Sequence, residues 1–383
     1  MLPITLRKRL NDRIASDSLR KLGRHGDLVD FSSNDYLGFS ASEEIYNRAL
    51  AILKENRIQK NGATGSRLLS GNHELFAITE SFISNFHKSE AALIYNSGYD
   101  ANLGFFGSVS QRGDLILYDE LCHASIRDGI GMSYARAQKF RHNDANGLSE
   151  IILKSKAKYA NIYVVTEAVF SMDGDAPDLR MINSICEDNG AYLIVDEAHA
   201  VGVTGTGSGL VQELGLEDRI FARVITFGKA LGCHGAAVLG SRSLIEYLVN
   251  FSRSFIYTTA LSPHAVATIL AAYEALSQIT EAKDPTELTA LKSNISIVRT
   301  RVNNCELGAF FLPSDSAIHS LIIQGNDRVK ELSVFLARNG YDVKPILSPT
   351  VPKGRERLRI CVHSFNTASE IEQLTGILNK ALF

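Results

Sequence analysis

Residues 161–197 read NIYVVTEAVFSMDGDAPDLRMINSICEDNGAYLIVDE: an apolar run, an amphipathic stretch and a second apolar run, with an acidic residue closing each run. Short runs of this kind predict buried strands, and the stretch between them predicts a helix. The rhythm extends in both directions. AALIY (91–95), DLILYD (114–119), ARVITF (222–227) and GAAVLG (235–240) are further candidate strands, with helical patterns between most of them. Continuous apolar strands alternating with helices make an α/β protein with a mostly parallel, doubly wound sheet. Ligands bind such sheets beyond the carboxyl ends of the strands, so the polar residues ending the runs are the ones to examine.

Beyond Ser262 and Pro263 the helical patterns run to about Arg301. The rhythm then changes to AIHSLIIQ, a helix near 326–339, YDVKP, RLRICV and a final helix, which predicts a smaller α+β domain. The expected division is 1–44 as an N-terminal segment packing with the small domain, 45–280 as the large domain and 281–383 as the small one.

A chain of 383 residues that is 45% hydrophobic and 21% charged folds, and its length suits two domains. A formal net charge of −2 provides no basic field for nucleic acid or an anionic membrane, so small molecules or proteins are the expected partners. Cys122, Cys186, Cys233, Cys305 and Cys361 form no CxxC pair, which argues against a zinc site and fits a reducing cytoplasm. The N-terminus lacks the apolar stretch of a signal peptide, and no run reaches membrane-spanning length.

AYLIVDEAHAVGVTGTGSG (191–209) puts Asp196 at the end of a buried strand, with His199 shortly after. Taken alone, such an aspartate is best explained as a cap on the following turn. VITFGKALGCHGAAVLG (224–240) then places Lys229 just beyond another strand, where a lone lysine is usually a solvated charge. Together they are what pyridoxal phosphate requires: an amine to form an imine with its aldehyde, and an anion to keep the ring nitrogen protonated. Thr226 ends the strand before Lys229. YNSGYDAN (95–102) supplies Ser97, Gly98 and Tyr99 at a helix start able to hold a phosphate, although an SG turn is also a generic helix start. His123 follows DLILYD, where an imidazole face can stack on the ring; the plainer reading is a hydrogen-bonded structural histidine. Ser171 ends the TEAVF run, within reach of a phenolic oxygen or simply in a turn on Met172, Asp173 and Gly174. GVTGTGSGL lacks the ending of a phosphate-binding Walker loop, and GNHELFAITE contains no HExxH, so no metal site is expected.

FSSNDYLG (31–38), GATGSRLLSGNH (62–73), YNSGYDAN, CHAS (122–125), TEAVFSMDGD (166–175), VDEAHAVG (195–202), TFGKALG (226–232), IYTTA (256–260) and PTVPKGRERLRI (349–360) occur in an order and spacing that resemble the α-oxoamine synthases, within the fold-type I pyridoxal-phosphate enzymes. The resemblance covers nearly the whole chain. It implies a seven-stranded sheet in the large domain, and a cytoplasmic homodimer with active sites shared between subunits. It implies Lys229 as the cofactor-bearing lysine, Asp196 on the pyridine nitrogen, His123 stacked on the ring, and Ser171 and His199 near the phenolic oxygen. Ser97, Gly98, Tyr99 and Thr226 match phosphate-side positions, and Thr258 and Thr259 would reach the neighbouring subunit's phosphate.

Within the family, FSSNDYLG with VFSMDGD and PTVPKG most resembles members that join L-alanine to a pimeloyl thioester of coenzyme A or acyl-carrier protein in biotin biosynthesis. Asn34 and Arg359 match positions associated with the amino-acid carboxylate, Thr350 a substrate-side position and Arg20 an arginine linked to the acyl substrate. The alternatives are a glycine C-acetyltransferase, a 5-aminolevulinate synthase, a serine palmitoyltransferase, or a non-catalytic cofactor-binding regulator. One departure stands out: where many relatives have an arginine shortly before PTVP, this chain has Leu347, which shifts carboxylate binding toward Arg359.

Overall fold

The structure is a computed structural model and describes residues 2–20, 22, 26–282, 286–304 and 306–382, so Cys305 lies outside the described residues. The chain forms two compact units, one of Asn34–Ser171 and Ala176–Ala290, the other of Met1–Ser33, Met172–Asp175 and Leu291–Phe383.

In the larger unit the apolar runs become strands β1 (Ala91–Tyr95), β2 (Leu115–Asp119), β4 (Ile162–Glu167), β5 (Tyr192–Asp196), β6 (Ala222–Thr226) and β7 (Ala236–Gly240), joined by β3 (Arg136–Phe140). They make a seven-stranded sheet in the order β1-β7-β6-β5-β4-β2-β3, as the resemblance implies. Only β7 runs antiparallel to its neighbours; the other pairings are parallel. β4 is buried along its whole length, the burial expected of a parallel strand covered on both faces. β3 (RAQKF) carries no apolar run because it is an edge strand with four exposed residues, and sequence periodicity misses it.

The connection from β6 to β7 is a tight reversal, residues 227–235, and it carries Lys229. Gly232 in this loop has φ +61, and a Cβ there would lie 2.2 Å from the Ser40 backbone nitrogen. Glycine is needed both for the turn and for the close approach of residues 39–40.

In the smaller unit β8 (Ile318–Ile322), β9 (Lys344–Ile346) and β10 (Arg357–Cys361) form an antiparallel sheet in the order β9-β10-β8. The helices Asn326–Arg338 and Ala368–Leu382 contribute Val329, Leu336, Ile371 and Leu374 to its core, against Leu321 and Leu358 of the sheet. Val29–Asp30 pairs in parallel with Tyr341–Asp342, which draws the segment before FSSN into this unit. The turn at Met172–Asp175 belongs here as well. Arg357 pairs with Asp173 and donates to the Met172 carbonyl at 3.1 Å, while Ser314 and Ser316 hydroxyls donate to the Gly174 carbonyl at 2.8 Å. Gly174 has φ +81, and a Cβ there would meet the Ile318 carbonyl oxygen at 2.1 Å.

His319 on β8 is buried, and among the described residues its Nε2 has no hydrogen-bond partner. Burial, with the Arg299 charge adding to it, pushes the imidazole down from 6.5 to about 4. The unfolded chain therefore takes up this proton first as pH falls. Stability is complete above about 6.5 and declines from there to about 4, by about 3 kcal/mol for a shift of this size. Urea unfolding of wild type and His319→Leu across this window should show a steeper acid decline in wild type; parallel curves would remove His319 as its cause.

Candidate active site

Strands β1, β2, β4, β5 and β6 share one direction, so the residues following their carboxyl ends gather along one edge of the sheet. Ser97, His123, Ser171, Asp196 and Lys229 are those residues. The β4–β5 register places Glu167 directly across from Asp196.

Asp196 is buried and takes hydrogen bonds at both oxygens, from Asn102 Nδ2 at 2.9 Å and from the Ala198 backbone N–H at 2.9 Å. Asn102 also donates to Ser125 Oγ at 3.0 Å, and Ser125 Oγ lies 2.7 Å from His123 Nδ1. The His123 backbone N–H donates to Glu167 Oε1 at 2.5 Å. Burial and the adjacent Asp196 push the Glu167 carboxyl up to about 8, so it keeps its proton at neutral pH. His123 keeps an exposed face, yet the protein packed on its other side lowers its proton affinity; Asp196 opposes this, and the Lys229 cation adds to it. The balance favours a neutral imidazole.

Ser97 caps the helix Gly98–Val109, its Oγ accepting from Asp100 N–H at 3.0 Å. Helix geometry leaves the first-turn N–H groups without intrahelical partners, which makes this end an anion cradle. Thr226 Oγ1 lies only 3.6 Å from where a Cβ on Gly98 would stand. Asn96 Nδ2 donates to Thr258 Oγ1 at 3.1 Å and to the Thr259 carbonyl at 2.8 Å, tying that segment beside the helix start. The Tyr99 side chain is exposed, and its hydroxyl donates to Asp128 at 2.5 Å. His199 Nδ1 lies 2.7 Å from the hydroxyl of the fully buried Tyr36, which donates to Asn34 Oδ1 at 3.1 Å. Lys229 and Ser171 are half-buried.

The other substrate-side candidates stand in the smaller unit. Arg359 is buried on β10, its Nη1 2.9 Å from Cys361 Sγ. Arg20 and Thr350, 330 positions apart, are both exposed and meet with Nη2 3.5 Å from Oγ1. Leu347 is partly buried and packs against that unit's hydrophobic core.

The donor set in the larger unit fits pyridoxal phosphate. A loop amine is present, a buried carboxylate is held by N–H donors, and a helix start supplies N–H groups for a phosphate. The Asn102 Oδ1 atom is buried with no hydrogen-bond partner among the described residues, and the amide is committed through its nitrogen to Asp196 and Ser125. The sequence reading did not single out Asn102, Ser125, Tyr36 or Glu167. All four lie inside the quoted motifs, but their partners are distant in sequence: Asn102 and Asp196 are 94 positions apart.

The model of the family described as "Aminotransferase class I and II" matches residues 26–378. The chain is similar to the 8-amino-7-oxononanoate synthase of Emericella nidulans, 41% identical over 90% of this chain and 87% of that one. Among solved structures it is similar to the 8-amino-7-oxononanoate synthase of Francisella tularensis, with TM-score 0.75 and 28% identity, covering 93% of this chain and 98% of that one. It is also similar to a serine palmitoyltransferase chain described as SPT with PLP, with TM-score 0.84 and 26% identity over 94% of this chain and 88% of that one.

Proposed function

The chain belongs to the aminotransferase class I and II family, and from that premise we propose that it is a pyridoxal-phosphate-dependent acyltransferase of biotin biosynthesis. It condenses L-alanine with a pimeloyl thioester, releasing carbon dioxide and free thiol and giving 8-amino-7-oxononanoate. The observation that carries this reading is that buried Asp196 ends β5 while Lys229 follows the neighbouring parallel strand β6 at the same end of the sheet, in a chain so close to 8-amino-7-oxononanoate synthases.

When bound, pyridoxal phosphate supplies an electron-withdrawing ring that takes up the charge left at the amino acid's α-carbon when a proton or carboxyl group departs. Lys229 Nζ would hold the cofactor through its aldehyde, and as a free amine it would move the proton at the α-carbon of alanine. Asp196 holds the proton on the ring nitrogen. His123 would stack on the cofactor ring and offer its imidazole edge to the thioester oxygen as charge develops there. Ser97, Gly98, Tyr99 and Thr226 hold the phosphate, and Ser171 and His199 bond the phenolic oxygen. Thr258 and Thr259 reach the phosphate of the second subunit in a homodimer. Asn34 and Arg359 bind the alanine carboxylate, while Thr350 and Arg20 face the acyl chain. Among the described residues no helix is long and apolar enough to cross a membrane, and the reaction is assigned to the cytoplasm.

The test is thiol release by the holoenzyme with alanine, glycine or serine, each paired with pimeloyl, acetyl or palmitoyl thioester. Alanine with the pimeloyl donor should lead by at least about tenfold, the discrimination that one or two methylenes or a hydroxyl can support. Faster turnover of glycine with acetyl or of serine with palmitoyl would replace this reading by another activity of the same family.

A further inference from the structure

We propose that Asn102 is a positioning residue that, through Ser125, sets the tautomer of His123, so that the anion of Asp196 directs which imidazole nitrogen carries the proton. The inference rests on the role given to His123 above and deepens it.

Asn102 is buried in the second turn of the helix Gly98–Val109. Its amide nitrogen has two hydrogens and two acceptors in range, Asp196 Oδ2 at 2.9 Å and Ser125 Oγ at 3.0 Å. The Asp196 carboxylate only accepts, so the reversed amide would set oxygen against oxygen, and the orientation is determined. Ser125 Oγ takes the Asn102 hydrogen on one lone pair, and its own hydrogen goes to His123 Nδ1, 2.7 Å away, because that nitrogen already accepts from a backbone donor. The Ser125 backbone N–H approaches the same nitrogen at 3.2 Å. Nδ1 therefore faces two donors and cannot itself carry a proton, which places the proton of the neutral ring on Nε2. The His123 backbone is held by Glu167, so the ring is fixed in position as well as in tautomer. The Nε2–H is the donor that an oxyanion on the acyl carbonyl requires, and one buried charge thus prepares two groups of the site.

The experiment uses the full-length protein labelled with ¹⁵N-histidine, read by long-range proton–nitrogen correlation at a pH where the imidazole is neutral. The His123 signal is assigned from its loss in His123→Gln. Wild type should show the Nε2–H form. Ser125→Ala, which leaves the Asn102–Asp196 bond in place, should give mixed tautomers, and Ser125→Thr should restore the single form. In the same holoenzyme variants Ser125→Ala should lower kcat about tenfold or more while the KM for alanine stays within about twofold. Asn102→Ala should behave likewise; should it fail to fold, Ser125→Ala decides. An Nδ1–H signal in wild type, or an unchanged tautomer in folded Ser125→Ala, would overturn the proposal. The tautomer is read without turnover, so a wrong substrate assignment and a wrong relay give different results.

Discussion

Lys229→Ala is expected to abolish covalent attachment of pyridoxal phosphate and to reduce turnover at least about a thousandfold, while the protein stays folded. The proposed function gives this side chain two roles, binding the cofactor aldehyde and moving the α-proton. Loss of a positioned acid–base group alone costs about a hundred- to ten-thousandfold, and loss of the covalent link adds to that. Lys229 is half-buried in the β6–β7 reversal rather than in a core cluster, so its removal leaves no cavity under the sheet. Borohydride reduction followed by peptide mass spectrometry checks the first part: the peptide containing Lys229 should gain the reduced cofactor in wild type and not in the variant. Label on another lysine in wild type would displace the assignment.

A second large effect is expected away from the chemistry, at the buried pair of Arg223 and Glu197. Arg223 Nε donates to Glu197 Oε2 at 2.6 Å, and both side chains are almost fully enclosed, 3% and 0% exposed. Arg223 also donates to the His87 carbonyl at 2.9 Å, and Glu197 Oε1 accepts from the Val211 N–H at 2.9 Å. His87, bonded to Tyr273, is held far below its ordinary range by burial first and then by the Arg223 charge, so it cannot take over as the counter-ion. Arg223→Met therefore leaves a buried carboxylate unpaired and should cost about 3–5 kcal/mol. Arg223→Met with Glu197→Gln should recover much of that, because no net charge then remains inside. Urea unfolding in a double-mutant cycle measures the difference. Single-variant losses under about 1 kcal/mol would show that the pair does not hold this part of the sheet. Glu197 is bonded in sequence to Asp196, so the single variant should also bind the cofactor more weakly, although Arg223 stands apart from the site groups described above.

Much of this was legible in one dimension. Apolar runs of strand length alternating with helical patterns specify a doubly wound sheet, because a strand buried on both faces must be apolar throughout. Asp196 stands out because a charge at the end of a buried strand needs a partner, and Lys229, which alone would read as a solvated charge just past a strand, gains its meaning from Asp196. Periodicity carries no direction and no partner, however. GAAVLG reads as a strand whether parallel or antiparallel, and only the hairpin to β6 reverses it. RAQKF is invisible as a strand because its pairing to β2 is made by backbone groups while four of its five residues are exposed. The turn Met172–Asp175 joins the smaller unit through Arg357, far along the chain. The same holds for Asn102 with Asp196, Ser125 with His123, and Tyr36 with His199. Residue types and local rhythm settle which groups are present, whereas hydrogen bonds form wherever packing brings a donor to an acceptor, and that distance exists only once the chain has folded.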